Sequence, residues 1–200
     1  MKSLTVILFV LFLFGCQKQE TDSTEPQERT YAIAEVATRL GNMYFWLYDE
    51  TPNHKAKFME LAKENHYDQF TFNRVIQNFV VQGGCPDSVQ YFENSPFLLE
   101  PEFLDTFKHT YGALGMGRDD NPQKLSNACQ FYIVNKETGL PQLDGDYMIF
   151  GKIVKGKDVL ELIESQKTNP NDQPIEQIPL NVSILQFSEK TLADSFDLVL

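Results

Sequence analysis

Two side chains in the segment FNRVIQNFVVQGG (residues 72–84) are placed to do chemistry, Arg74 and Gln82. Each interrupts a short apolar run, and Gln77-Asn78 separates the two runs. A period of two puts Phe72, Arg74 and Ile76 on one face of the first run, and Val80 with Gln82 on one face of the second. Taken singly, a strand arginine is more often a snorkelling or ion-paired surface residue, and a lone glutamine a satisfied edge residue. As a pair on adjacent strands they bring a guanidinium and an amide together on an apolar floor. The chemistry on offer is electrostatic, since arginine is planar, permanently charged and rich in directional donors.

Other chemistries find little support. The three histidines, His54, His66 and His109, lack the spacings of a metal site and read as surface or helix residues. There is no P-loop, no GxGxxG and no GxSxG. Beyond the N-terminal segment only Cys85 and Cys129 remain, too few for a zinc cluster. No cofactor or metal is expected. A formal charge of −11 argues against nucleic acid as a partner, because phosphate backbones are bound by lysine and arginine fields.

The elements that must position Arg74 and Gln82 follow from periodicity. At 200 residues, with 42% apolar content and 16 Phe, the chain can build one substantial core. YAIAEVAT (31–38) and NMYFWLYD (42–49) read as a hairpin. Thr51-Pro52 offers an N-cap and a first-turn proline for a short helix over about 53–65, with Phe58, Leu61 and Ala62 on one face. Strands follow at 70–76 and 79–82, then 112–116, 130–134 and 148–154, the last preceded by the turn signal Asp144-Gly145. Residues 85–110 lack a clean period, a length that is usually functional or wrapped on the body. Val159, Leu160, Leu162 and Ile163 predict a second helix over 157–166, and NVSILQF (181–187) a final strand before a tail (188–200) of open structure. Many short strands with two helices predict a mainly β fold: a closed antiparallel barrel of about eight strands, its ends plugged by the helices.

The first residues, MKSLTVILFVLFLFGCQKQE, have a positive n-region at Lys2 and an apolar run, Leu4–Phe14, too short to span a bilayer comfortably. Leu13-Phe14-Gly15-Cys16 resembles a bacterial lipobox, which implies a signal peptide over 1–15 and lipidation of Cys16. An ordinary secretory signal that happens to contain a cysteine is the other reading. Residues 16–30 are polar and read as a flexible tether, leaving the folded domain at 31–187. The expected location is the bacterial cell envelope, held by a lipid anchor.

Set in order, the motifs resemble the cyclophilin family of peptidyl-prolyl cis-trans isomerases. Its signature runs Phe-His-Arg, an apolar pair, a two-residue turn, Phe-Met, one residue, then Gln-Gly-Gly, and residues 72–84 match it throughout apart from Asn73 and Val80. PNHKAKFMELAKENHYDQF (52–70), EFLDTFKHTYGALGMGR (102–118), NACQFYIV (127–134) and LDGDYMIFGKIVKG (143–156) resemble further family segments in order, so the likeness covers about 31–187. It implies a catalytic role for Arg74 and a proline pocket lined by Phe79, Val80, Tyr132 and Leu143. It also implies that Gln82 supports the arginine and touches the substrate, with Gln130 near the same groove. The rim would comprise Gly117, Arg118 and Tyr147. Val80 stands for the family's Met, Tyr132 for Phe, Tyr147 for His and Gln142 for Trp. A hydroxyl at 132 needs a partner if buried. Phe79 is out of phase with Val80 and Gln82, so a bulge or irregular strand start is required. In the family's fold Cys85 and Cys129 lie near the groove and an oxidising compartment could join them; two buried free thiols are the simpler reading. The resemblance implies a monomeric enzyme acting on proline-containing polypeptides. A proline-binding chaperone or scaffold without turnover, and a purely structural envelope lipoprotein, are the alternatives.

Overall fold

The computed structural model describes residues 29–88 and 95–199. The leader, Cys16 and nearly all of the tether lie outside the described residues, as do residues 89–94 of the long central segment. β1 (Thr30–Thr38) and β2 (Gly41–Leu47) form the expected hairpin, with Thr38 paired to Gly41. Alternation along β2 sends Met43, Phe45 and Leu47 into the core and leaves Tyr44 and Trp46 on the outer face. That outer aromatic face explains a third helix. α3 (Glu189–Phe196) starts at Ser188, whose hydroxyl accepts the Thr191 N–H at 3.3 Å. It lays Leu192 and Phe196 over Ile33, Tyr31, Tyr44 and Trp46. Ring centroids of Tyr44 and Phe196 are 5.4 Å apart, edge to face.

α1 (Pro52–Lys63) buries His54, Phe58, Leu61 and Ala62. Thr51 precedes it but caps nothing, its hydroxyl bonding the Tyr48 carbonyl instead. The cap comes from Glu102, whose carboxylate accepts the N–H groups of Asn53 (3.1 Å) and His54 (3.0 Å) and also meets His54 Nδ1. A carboxylate at a helix N-terminus serves both the free donors and the dipole. α2 (Lys157–Glu164) buries Val159, Leu160 and Ile163.

The remaining strands are β3 (Thr71–Val75), β4 (Val80–Gly84), β5 (Leu98–Leu99), β6 (Ala113–Gly117), β7 (Ser126–Val134), β8 (Met148–Lys155) and β9 (Asn181–Ser188). All pairing is antiparallel, in the order β3-β4-β7-β6-β8-β2-β1-β9, with β5 added to β7. The sheet curls around one core, but its ends do not join in a ladder. Among the described residues they meet through the Thr71–Pro179 bridge, flanked by bonds from Phe72 N to Ile178 O and from Leu180 N to Phe70 O. The expectation of a closed barrel with two helices is therefore modified. The barrel is open in its ladder, latched by the segment that leads into β9, and carries three α-helices among the described residues.

One register shift decides where the site lies. β3 pairs Phe72 with Gly83 but Arg74 with Gln82, a bulge at Asn73. Phe72, Val75 and Val81 join the inner core, while Arg74 and Gln82 turn to the outer face. Simple alternation put Phe72 and Arg74 on one face; the bulge separates them.

Candidate active site

The site is built on the outer surface of the sheet. Register carries a single transverse row across five strands: Arg74 on β3 faces Gln82 on β4, Gln82 faces Tyr132 on β7, Tyr132 faces Gly115 on β6, and Gly115 faces Ile149 on β8. Around Tyr132 a second apolar cluster forms, separate from the barrel core, from Val80, Ala113, Val134, Leu140 and Ile149. Phe79, Leu143, Tyr147, Tyr48 and Phe107 border it with part of their surface in solvent. The result is an apolar patch with a cation at one end of its row, the candidate slot for a substrate.

Phe79 reaches the slot because it is not in the strand. It ends the turn Ile76–Phe79, where Asn78 adopts a positive φ of 54°, and β4 begins only at Val80. This is the irregular start that the phase of the sequence required. Leu143 closes a short 3₁₀ turn, Pro141–Leu143, and Tyr147 follows the Asp144-Gly145 turn.

Arg74 is half-exposed, and its nearest carboxylate among the described residues is Asp172, with Nε to Oδ2 at 4.0 Å. Both partners face water, so the pair is loose and contributes no more than about 1 kcal/mol. The guanidinium makes no hydrogen bond among the described residues, and the buried Gln82 Nε2 has no partner either. Two uncommitted donors therefore stand next to the slot.

The Tyr132 hydroxyl does find a partner. It lies 2.7 Å from His109 Nε2, and His109 Nδ1 lies 2.7 Å from Asp144 Oδ1. The same carboxylate oxygen accepts the His109 backbone N–H at 2.9 Å. Burial pushes the His109 pKa down, with Asp144 opposing it. Burial alone would raise Asp144, but its hydrogen bonds from His109 hold it below the usual carboxylate range. Burial drives the Tyr132 phenol well above its ordinary value, so it is neutral. His109 and Asp144 carried no signal in the sequence, because 23 residues separate His109 from Tyr132 and 35 separate it from Asp144. His109 is buried and lies outside any helix, contrary to its reading as a surface or helix residue, whereas His54 is a helix residue of α1, buried on its inner face.

The other expected residues fall into two groups. Arg118 stacks over the Tyr147 ring, 4.8 Å from its centroid, and forms a rim with it. Gln130 shares the outer face of β7 with Tyr132, but its amide donates to Cys85 O (3.0 Å) and Asp87 Oδ1 (2.7 Å) and does not enter the slot. Gly117 lies beneath that side chain, where a Cβ would strike Gln130 Oε1. Next to it Cys85 and Cys129 are joined in a disulfide, with Cα atoms 5.5 Å apart, so the reading of two free thiols is corrected. Gly84 permits the approach. It has φ +91°, and a Cβ there would collide with the Cys129 carbonyl oxygen that accepts the Cys85 N–H.

No group of three or more metal-binding side chains occurs among the described residues. Comparisons with known proteins agree with the geometry. Residues 33–184 match the family described as cyclophilin type peptidyl-prolyl cis-trans isomerase/CLD. The chain is 34% identical over 147 residues to peptidyl-prolyl cis-trans isomerase CYP18-1 of Arabidopsis thaliana, covering 72% of this chain and 89% of the relative. It is 35% identical over 153 residues to peptidyl-prolyl cis-trans isomerase ppi1 of Schizosaccharomyces pombe, covering 74% and 96%. Its fold is similar to a Cryptosporidium parvum cyclophilin type peptidyl-prolyl cis-trans isomerase solved in the presence of the dipeptide Ala-Pro. That match has a TM-score of 0.69 at 26% identity and covers 76% of this chain and 98% of the other. With a matching fold and matching sequence, the chain belongs to the cyclophilin-type peptidyl-prolyl cis-trans isomerases, enzymes that rotate X–Pro bonds.

Proposed function

We propose that Arg74 is the catalytic residue and that Phe79, Val80, Tyr132 and Leu143 hold the proline ring of the polypeptide substrate. The observation that carries this reading is the pairing of Arg74 with Gln82, both with free donors, at the edge of an apolar slot.

Rotating an X–Pro bond breaks amide resonance, against a barrier of roughly 18–20 kcal/mol. In the twisted state the prolyl nitrogen turns pyramidal and regains a lone pair. A guanidinium N–H aimed at that lone pair favours the twisted state over both planar isomers. The slot holds the ring while the acyl side turns, and its apolar walls keep water from weakening the arginine's bond. Gln82 Nε2 donates to the substrate main chain beside the rotating bond. Arg118, Gly117 and Tyr147 line the path of the flanking peptide, and Gln130, fixed by Asp87 and Cys85, braces the groove from one side.

The same reading places the enzyme outside the cytoplasm, as a monomer tethered through lipidated Cys16, assisting the folding of exported polypeptides at the cell envelope. The lipobox-like Leu13-Phe14-Gly15-Cys16 supports it, and a Cys85–Cys129 disulfide is in keeping with an oxidising compartment. Acceleration of a slow, proline-limited refolding reaction at sub-stoichiometric protein tests the enzymatic part. Binding without acceleration would replace the isomerase by a proline-binding chaperone. Fractionation tests the anchor: Cys16→Ala moves the protein from the membrane to the soluble fraction, and unchanged membrane retention would refute lipidation.

A further inference from the structure

The tyrosine at the base of the slot is held by a chain of buried polar groups that the isomerisation reaction itself does not use. His109 and Tyr132 are 2% and 4% exposed, and their rings lie nearly parallel, 6° apart, so that the hydroxyl meets Nε2 edge to edge. The proton positions follow from the acceptors. An ionised Asp144 can only accept, and its Oδ1 faces both the backbone N–H and Nδ1 of His109. Nδ1 therefore carries the ring proton, and Nε2 of the neutral imidazole is left with a lone pair. The Tyr132 O–H must donate to it, so the hydroxyl proton points away from the slot.

We propose that His109, backed by Asp144, is a positioning residue for the proline pocket: it holds the Tyr132 hydroxyl proton out of the slot while neutral and releases it into the slot when protonated. The inference rests on the reading that this slot takes the proline ring. Once Nε2 bears a proton it becomes a donor, and two donors cannot share one short contact. The phenol must then turn its O–H, and the surrounding Val80, Ala113, Val134 and Ile149 offer no side-chain acceptor. A buried O–H without a partner draws water into the slot, and a proline ring must displace that water to bind. The penalty falls on substrate binding, because the rotating bond lies at Arg74, two strands along the row.

The charged and titratable groups around this chain are few. Lys108 Nζ is 3.8 Å from the second Asp144 oxygen. On the far side of Tyr132 the Tyr147 ring stands edge-on at 6.3 Å, with Arg118 stacked on it. Lys108 and Arg118 both resist a second positive charge nearby, and Asp144 favours it. Burial tips the balance toward neutral His109, so the change falls on the acid side of the ordinary histidine range.

The test is the pH profile of KM and kcat, measured separately for isomerisation of a proline tetrapeptide by the full chain, Tyr132→Phe and His109→Gln. In the parent, KM is flat from neutral to alkaline pH and rises roughly five- to tenfold in acid, the size expected for one unsatisfied buried hydroxyl, while kcat changes little. Tyr132→Phe has no hydroxyl to turn, so its KM is independent of pH whatever its absolute value, and His109→Gln behaves alike. A Tyr132→Phe profile that keeps the parent's acid rise, or a parent profile that is flat, overturns the proposal. If His109→Gln does not fold, the nitrogen resonances of His109 in the parent give the second readout. Nε2 has the shift of a bare nitrogen at neutral pH and moves in Tyr132→Phe; a protonated Nε2 or an unmoved resonance overturns the assignment. Peptide affinity followed by NMR over the same range separates the two readings. A pH-dependent affinity without turnover sinks the isomerase mechanism and leaves this inference standing.

Discussion

Gly115 sits opposite Tyr132 in the transverse row, and a Cβ built there would run into the Cζ and the hydroxyl of that tyrosine. Its backbone is not in the left-handed region, so alanine is acceptable to the main chain and the effect of Gly115→Ala is steric alone. Two responses are open: the ring lifts into the slot, or β6 and β7 shift apart. Overpacking of this kind costs about 1–3 kcal/mol. For a domain of this size that lowers Tm by roughly 3–10 °C. A displacement of about 1 Å at the pocket base can reduce kcat/KM by up to a hundredfold. Because the ring enters the proline's space, the loss is expected mostly in KM. A double-mutant cycle checks the cause. Leucine at 132 is too short to reach Gly115, so adding Gly115→Ala to Tyr132→Leu should change stability by less than about 0.5 kcal/mol. The peptide isomerisation assay and thermal melts of the four proteins suffice. Parent-like KM and Tm in Gly115→Ala, or an equal effect in both backgrounds, would refute the packing argument.

Other expectations follow from the same contacts. Removing the disulfide with Cys85→Ala and Cys129→Ala, 44 residues apart, should destabilise the fold by about 4 kcal/mol on the loop-entropy relation, read from denaturant midpoints. Parent-like midpoints would contradict it. Glu102→Ala removes the cap of α1 and the partner of buried His54, and should cost roughly 2–4 kcal/mol in the same measurement. Stability should also fall in acid. Burial lowers the His54 and His109 pKa values, so the unfolded chain binds more protons and stability is full above about pH 6.5 and lost below it. Glu102 and Asp144, held below the usual range by their hydrogen bonds against opposing burial, act in the same sense at lower pH. A stability that is flat or rising between pH 7 and 5 would contradict both assignments.

What the sequence made legible was the local part of the design. The hairpin, α1, α2 and the paired positions of Arg74 and Gln82 follow from periodicity and turn residues, which act within a few positions. The need for an irregular entry into β4 at Phe79 was legible for the same reason. The bulge at Asn73 was not, since its cause is the demand that Phe72 and Val75 both face the core. Nor was α3, whose packing depends on the outer aromatics of a hairpin some 150 residues earlier. The Glu102 cap, the disulfide and the Asp144–His109–Tyr132 chain are contacts across 23 to 49 residues of loop and strand, and residue types carry no mark of such meetings. The tyrosine hydroxyl needed a partner on chemical grounds; which residue would supply it was a property of the fold.

The most direct measurement of the central claim is kcat/KM for a proline peptide with Arg74→Ala, alongside peptide affinity and thermal stability of the same protein. Loss of one transition-state donor predicts a fall of roughly a hundredfold, carried by kcat, with affinity and Tm close to the parent. A folded Arg74→Ala protein that turns over peptide at near-parent rates would contradict the account.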